Sequence, residues 1–208
     1  MQLGRLTAMA ATLLLAAPAL AQTFDFETVP VGAYAGQLVV AEGGQTLTVT
    51  PEGSPNGWVI VTDAVAMPLL GARSVVGSRT PDLRLDGFAP LRFTFAFPVD
   101  EVTFAFGDLG GDTDSPVVIE AYDATGALLG IHVDTYPDGY SAGKTATLAY
   151  DNAKYFIAKS LPGWNNHSLG WDILRSRVAR NEVPEPDPAL ALLIGGGTVG
   201  LLLVRRRR

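Results

Sequence analysis

The chain has 208 residues, 48% of them hydrophobic and 17% charged, with two histidines and no cysteine. Disulfides, iron–sulfur clusters, thiolate zinc sites and cysteine nucleophiles are therefore excluded, and His132 and His167 are too few for a histidine metal site. The formal charge is −6; without Arg5, Arg205–Arg208, Glu185 and Asp187, the chain keeps ten basic and nineteen acidic side chains, a net charge near −9. That balance speaks against nucleic acid, which needs a basic face, and suits neutral polymers or divalent cations.

Residues 1–21 read as an export signal. Arg5 supplies the positive start, Leu6–Pro18 the apolar run, and Ala19-Leu20-Ala21 a small-x-small cleavage site, so the mature chain is expected to begin at Gln22. The apolar run is too short to cross ~30 Å of hydrocarbon. The implied partners are the Sec export machinery and signal peptidase.

Residues 22–180 alternate short β-prone runs with Gly, Pro, Asp and Asn every 8–12 residues, the rhythm of a sandwich or barrel. Strands are expected at Thr46–Thr50 and Trp58–Thr62. The clearest run is Leu91–Phe97, where Leu91, Phe93, Phe95 and Phe97 share one face and Arg92, Thr94 and Ala96 the other. Pro98-Val99-Asp100 is expected to break it before Val102, Phe104 and Phe106 resume the alternation. Further strands are expected at Val117–Tyr122, Leu128–Val133, Thr145–Tyr150, Tyr155–Lys159 and Leu169–Leu174, with a hairpin turn at Asp123-Ala124-Thr125-Gly126. No window keeps a 3.6-residue period. The expected fold is all-β, an antiparallel β-sandwich of two sheets packed face to face.

Three stretches carry chemistry worth weighing. Gly139-Tyr140-Ser141-Ala142-Gly143 matches a nucleophile elbow, with Asp151 and His167 following in hydrolase order. No amphipathic helix follows Ser141, and too little chain remains for an α/β sheet, so a glycine-rich loop is the favoured reading and no catalytic residue is nominated. Asp108, Asp112 and Asp114 lie in an acidic, glycine-rich loop able to offer carboxylates and carbonyls to calcium; solvated turn acids are the alternative. Trp164, Asn165 and Asn166, and Trp58 beside Asn56, pair rings with amides in the manner of sugar sites, against packing in the core or at its rim.

The tail has three parts. Residues 181–188 are a proline-marked linker containing Val183-Pro184-Glu185-Pro186. Residues 189–204 are uncharged, sixteen residues in all, reaching ~24 Å as a helix, the lower limit for a transmembrane segment. Gly195-Gly196-Gly197 weakens it. Arg205, Arg206, Arg207 and Arg208 form a terminal cluster that stays cytoplasmic, leaving the domain outside.

This tail resembles the PEP-CTERM sorting signal. The resemblance implies that exosortase, a membrane-embedded protease-transferase, processes the chain in a Gram-negative, exopolysaccharide-producing bacterium. The domain resembles galactose-binding-like jelly-roll ectodomains through Phe24-Asp25-Phe26-Glu27, Phe97–Val102, Ala121–Gly126 and Trp171-Asp172-Ile173. That resemblance implies a jelly roll in which Glu27 and Asp172 approach as ligands of a structural calcium; Ile173 departs from the usual closing Asp-Asn pair.

Together these features describe an exported protein, held at the inner membrane with its domain in the periplasm and then released to the cell surface or biofilm matrix. A non-catalytic role with exopolysaccharide is expected. The alternative is a secreted hydrolase, a glycosidase or esterase.

Overall fold

The computed structural model describes residues 21–24, 26–63, 70–82, 88–108, 116–135, 143–160 and 169–179. Among these, all regular structure is β: β1 (Ala21–Phe24), β2 (Gly32–Ala35), β3 (Leu38–Glu42), β4 (Gln45–Pro51), β5 (Trp58–Asp63), β6 (Arg73–Ser78), β7 (Leu91–Asp108), β8 (Val117–Tyr122), β9 (Leu128–Asp134), β10 (Lys144–Ser160) and β11 (Leu169–Val178). Every pairing is antiparallel.

Two long strands organise the rest. Sequence reasoning expects Pro98-Val99-Asp100 to end one strand and separates Thr145–Tyr150 from Tyr155–Lys159. The structure corrects both: β7 and β10 each run through, and the break is a bend. The ladder between them slips at Ala149–Ala153 and again at Ala153–Tyr155. Asn152 there takes φ 60°, in the left-handed region, and its N–H donates to Asp100 Oδ1 at 3.3 Å. Irregularities of this kind bend a strand while keeping its pairing partner.

The bend is sharp enough to fold one strand onto itself. Phe93 and Phe104, eleven residues apart on β7, would be separated by ~36 Å in a straight strand. Their ring centroids are 5.3 Å apart. The first half of β7 and second half of β10 join β3, β4, β8 and β9 in one layer. The second half of β7 and first half of β10 join β11, β6, β5, β2 and β1 in the other. The hydrogen bonding is thus continuous, but the packing is that of a sandwich.

Between the layers lie the alternating residues of each inner face. Phe24, Phe93, Phe95, Phe104, Phe106 and Phe156 are all essentially inaccessible. They meet edge to face: Phe104 lies 5.5 Å from Phe156 and 6.3 Å from Trp171, and Phe95 lies 6.0 Å from Phe156. Such pairs add ~0.5–1.5 kcal/mol each beyond burial, so a chain without disulfides has a core to rest on.

At the bend, side chains replace ladder bonds. Gln45 follows the β4–β7 register to a place opposite Phe97, where β7 turns away. Its amide donates to Phe97 O and accepts from Phe97 N, both at 2.9 Å. Gly43 and Gly44, both at positive φ, make the two-residue β3–β4 turn just before it. Ala179 N donates to Pro98 O at 2.8 Å, and Ala21 pairs with Arg177. The described chain therefore enters and leaves side by side at the bend end. At the opposite end Asp108 pairs with Leu169 and Ser160 with Val117, and Lys144 Nζ reaches across the layers to Asp134 Oδ1 at 2.9 Å.

Candidate functional site

The residues singled out in the sequence fall in different parts of this frame. Asp112, Asp114, Ser141, Trp164, Asn165, Asn166 and His167 lie outside the described residues, as do Ala19 and the sorting residues Val183–Pro186 and Arg205–Arg208. Ala21 and Gln22 are in β1, opposite Arg177 and Ser176 of β11. Asp108 is the last residue of β7. Trp58 opens β5 opposite Ser78 and Ala35; Val59 and Val61 point into the core, which puts Trp58 on the outer face of the β11 layer.

Glu27 and Asp172 both address the first half of β6. Glu27 Oε1 accepts from Ala72 N at 2.6 Å and Arg73 N at 3.2 Å. Gly71 takes φ +67° there, and a Cβ on it would stand 2.1 Å from Glu27 Oε1. Arg73 Nη1 donates to Glu27 O at 2.7 Å and also to Val29 O. A guanidinium thus holds carbonyls of the kind a calcium ion would collect. Asp172 is buried on β11, with Oδ1 accepting from Ile173 N at 2.7 Å. Its neighbour Trp171 pairs with Val75, which sets Asp172 opposite Ser74, whose buried Oγ has no partner among the described residues. Among the described residues no group of three or more His, Asp or Glu is arranged to hold a metal.

The most organised polar surface is elsewhere, on the outer face of the β8 layer. Cross-strand partners share a face, so the registers draw rows across the strands. One row runs Thr48, Thr94, Tyr155, Tyr122; the next runs Thr50, Arg92, Ile157, Glu120, Ile131. Four of these residues, with Glu52 and Lys159 beside them, form one connected network of six side chains. Glu52 holds Arg92 bidentately, with Nε–Oε2 at 2.7 Å and Nη2–Oε1 at 3.1 Å. The Arg92 guanidinium lies 4.4 Å from the centroid of Tyr155. Tyr155 stacks on Tyr122, with centroids 4.8 Å apart and planes 8° from parallel. Tyr122 OH donates to Glu120 Oε2 at 2.9 Å, and Lys159 Nζ donates to Glu120 Oε1 at 2.6 Å.

The electrostatics of this network are balanced. Two carboxylates and two cations cancel, so the face does not attract polyanions. Burial pushes the Tyr122 phenol up, and the bond to Glu120 and its negative charge add to this; Tyr122 stays a neutral donor. Arg92 and Glu52 are each about one-third exposed, and ion pairs so placed contribute only ~0–1 kcal/mol. The network fixes donors, acceptors and ring edges in place more than it stabilises the fold. Tyr122 and Tyr155 were not singled out in the sequence. Both sit at outward positions of β8 and β10, and Tyr122 precedes the Asp123–Gly126 turn, but nothing local joins residues 33 apart.

No family model matches the chain, and no curated protein matches it. Among solved structures it is similar to the adhesin domain of Lys-gingipain from Porphyromonas gingivalis W83, with 10% identity over 72% of this chain and 98% of that one, and a TM-score of 0.45. It is similar to a DUF4465 family protein from Bacteroides caccae, with 11% identity, 77% and 99% coverage and a TM-score of 0.43. A third is the xylan-binding domain CBM22-1 of Paenibacillus barcinonensis Xyn10C, with 14% identity, 72% and 97% coverage and a TM-score of 0.40. At this level of likeness the functional reading rests on the chain's own side chains.

Proposed function

We propose that this chain is an exported, exosortase-sorted surface or matrix protein whose jelly-roll domain holds a neutral exopolysaccharide without cleaving it. The observation that carries the binding reading is the Glu52–Arg92–Tyr155–Tyr122–Glu120–Lys159 network. It offers fixed charges, a phenolic hydroxyl and aromatic edges on an outer sheet face beside Thr48, Thr50 and Thr94. A polyhydroxylated chain needs such a mixture of donors, acceptors and ring surface. The net neutrality favours an uncharged polymer. Sorting rests on the tail sequence: Val183–Pro186, the uncharged residues 189–204 and the terminal Arg205–Arg208.

The test is affinity electrophoresis of the full chain in gels containing neutral bacterial exopolysaccharide, with reducing-end release measured alongside. Removing the guanidinium and one ring in Arg92→Ala/Tyr155→Ala weakens retention by at least about tenfold, the equivalent of one to two aromatic contacts. Trp58→Ala, on the other layer, leaves retention unchanged. Retention insensitive to the double variant moves the site off this face, and release of reducing ends establishes the hydrolase instead.

A further inference from the structure

We infer that β9 is a self-complementary edge through which two copies of this chain pair antiparallel about Ile131, joining their two outer faces into one sheet. Among the described residues β9 pairs only with β8. An antiparallel strand with one neighbour turns every second N–H and C=O away from it, ready for another strand. Exposed edges are ordinarily blunted by lysine, proline, inward charge or a bulge. Leu128-Leu129-Gly130-Ile131-His132-Val133 has no lysine, proline or carboxylate, and its single bulge, at Leu129 between the Leu128–Tyr122 and Gly130–Ala121 pairs, leaves Gly130–Asp134 regular. The far end of the hydrogen-bonded path, β2 in the other layer, is only four residues long, and β3, the other edge of this layer, is five.

The side chains point the same way. Leu128, Ile131 and Val133 are 51%, 51% and 56% exposed, and Leu129 is 36% exposed. They form an aliphatic stripe beside Glu120 and Tyr122, and a cluster of this kind on an exposed strand marks a contact surface. A lipid or sugar would leave the backbone edge unmet. A second copy meets it and matches the stripe to itself. With Ile131 facing Ile131 across a two-fold axis, Leu129 faces Val133 and Val133 faces Leu129, as an isologous contact requires. The strand's charge, Asp134, then lies opposite Leu128 rather than another carboxylate, and Lys144 already neutralises it. The domain's net negative charge is thus kept off the contact.

Two such strands bury little compared with the ~1,200–2,000 Å² of a standard interface. Pairing is therefore weak in dilute solution and strengthens where chains are concentrated, as effective concentration dictates. Paired copies present two Tyr122–Tyr155–Arg92 faces side by side.

The chain lacks cysteine, which makes cross-linking clean. Full-length Ile131→Cys, oxidised in mild detergent, forms a disulfide dimer at least about tenfold faster than Val39→Cys, since pairing raises local concentration; Val39 is equally exposed, 51%, on the other edge of the same layer. Leu129→Cys mixed with Val133→Cys yields more dimer than either alone. Ile131→Lys leaves the melting temperature in place and removes the association seen by sedimentation in the otherwise native chain. Equal rates for Ile131→Cys and Val39→Cys, no gain on mixing, or association that survives Ile131→Lys would each overturn the pairing.

Discussion

Replacing Arg73 with methionine keeps the side chain's apolar stem and removes its guanidinium. The Glu27 carboxylate still accepts from the backbone N–H groups of Ala72 and Arg73, so the change isolates the two bonds from Nη1 to Glu27 O and Val29 O. A bond to a charged donor contributes ~1.5–3 kcal/mol when sheltered. These are part-buried, and water re-solvates part of what is lost. About half the sheltered value for the pair gives a cost of ~2 kcal/mol, or ~4–8 °C in melting temperature for a chain of this size. Calcium separates the two accounts of this corner. If Arg73 is the resident cation, the unaltered chain melts at the same temperature in millimolar calcium and in chelator. Arg73→Met, with the carbonyls of Glu27 and Val29 left without their donor, regains stability with calcium by mass action. Differential scanning calorimetry with and without calcium reads both. A calcium-dependent rise in the unaltered chain, or a cost below ~0.5 kcal/mol for Arg73→Met, would refute the reasoning and return Glu27 to an ion.

Two further outcomes follow from packing and protonation. A Cβ on Gly77 would stand 2.2 Å from Ala89 O and 3.0 Å from a Leu91 methyl; because the first obstacle is backbone, Gly77→Ala should cost ~2–4 kcal/mol in urea unfolding. Gly44→Ala meets nothing within 4 Å but keeps φ +86°, for ~1 kcal/mol; equal costs would contradict the steric argument. Partial burial alone would raise the Asp134 carboxyl, but bonds from Lys144 and the Thr135 N–H, with the Lys144 charge, outweigh it and hold it below its usual value. A carboxylate depressed in the fold adds stability above its unfolded value and loses it as pH falls through the folded one. Stability should therefore decline on the acid side of the carboxylate range, and Lys144→Met should flatten that decline; parallel pH profiles for the two chains would count against it.

Much of the strand content was legible because period-two alternation is a local signal. Thr46–Thr50 and Leu91–Phe97 fall within β4 and β7 for that reason, buried and less buried residues alternating along most of each. The turn at Asp123–Gly126 was legible through side-chain chemistry: Asp123 Oδ1 accepts from Thr125 N, Thr125 Oγ1 and Ala127 N at 2.7–2.9 Å. Thr125 foremost holds the Asp123 carboxyl below its ordinary range. Ala21–Phe24, Gly32–Ala35, Leu38–Glu42 and Arg73–Ser78 escaped notice, Leu38–Glu42 being only five residues long. β1 and β2 are only four residues long, and β6 is nearly continuously buried rather than alternating. Pro98 misled because a proline's missing donor ends a flat central strand, yet is tolerated where the ladder bends; Gln45 supplies the bonds that β7 needs beside it.

The candidate site shows the sharper division. Charge, the absent cysteines, the two hydrophobic ends and the all-β class follow from the order of residues alone, since each depends on composition or on neighbours a few positions apart. Which side chains form a surface depends on register. Glu52, Arg92, Glu120, Tyr122, Tyr155 and Lys159 are scattered over more than a hundred positions. They become neighbours only because β4, β7, β10 and β8 lie side by side in one alignment. A one-residue slip would turn any of these strands' outward residues into the core. Register is set by how the whole aromatic core packs, and no local stretch of sequence carries that information.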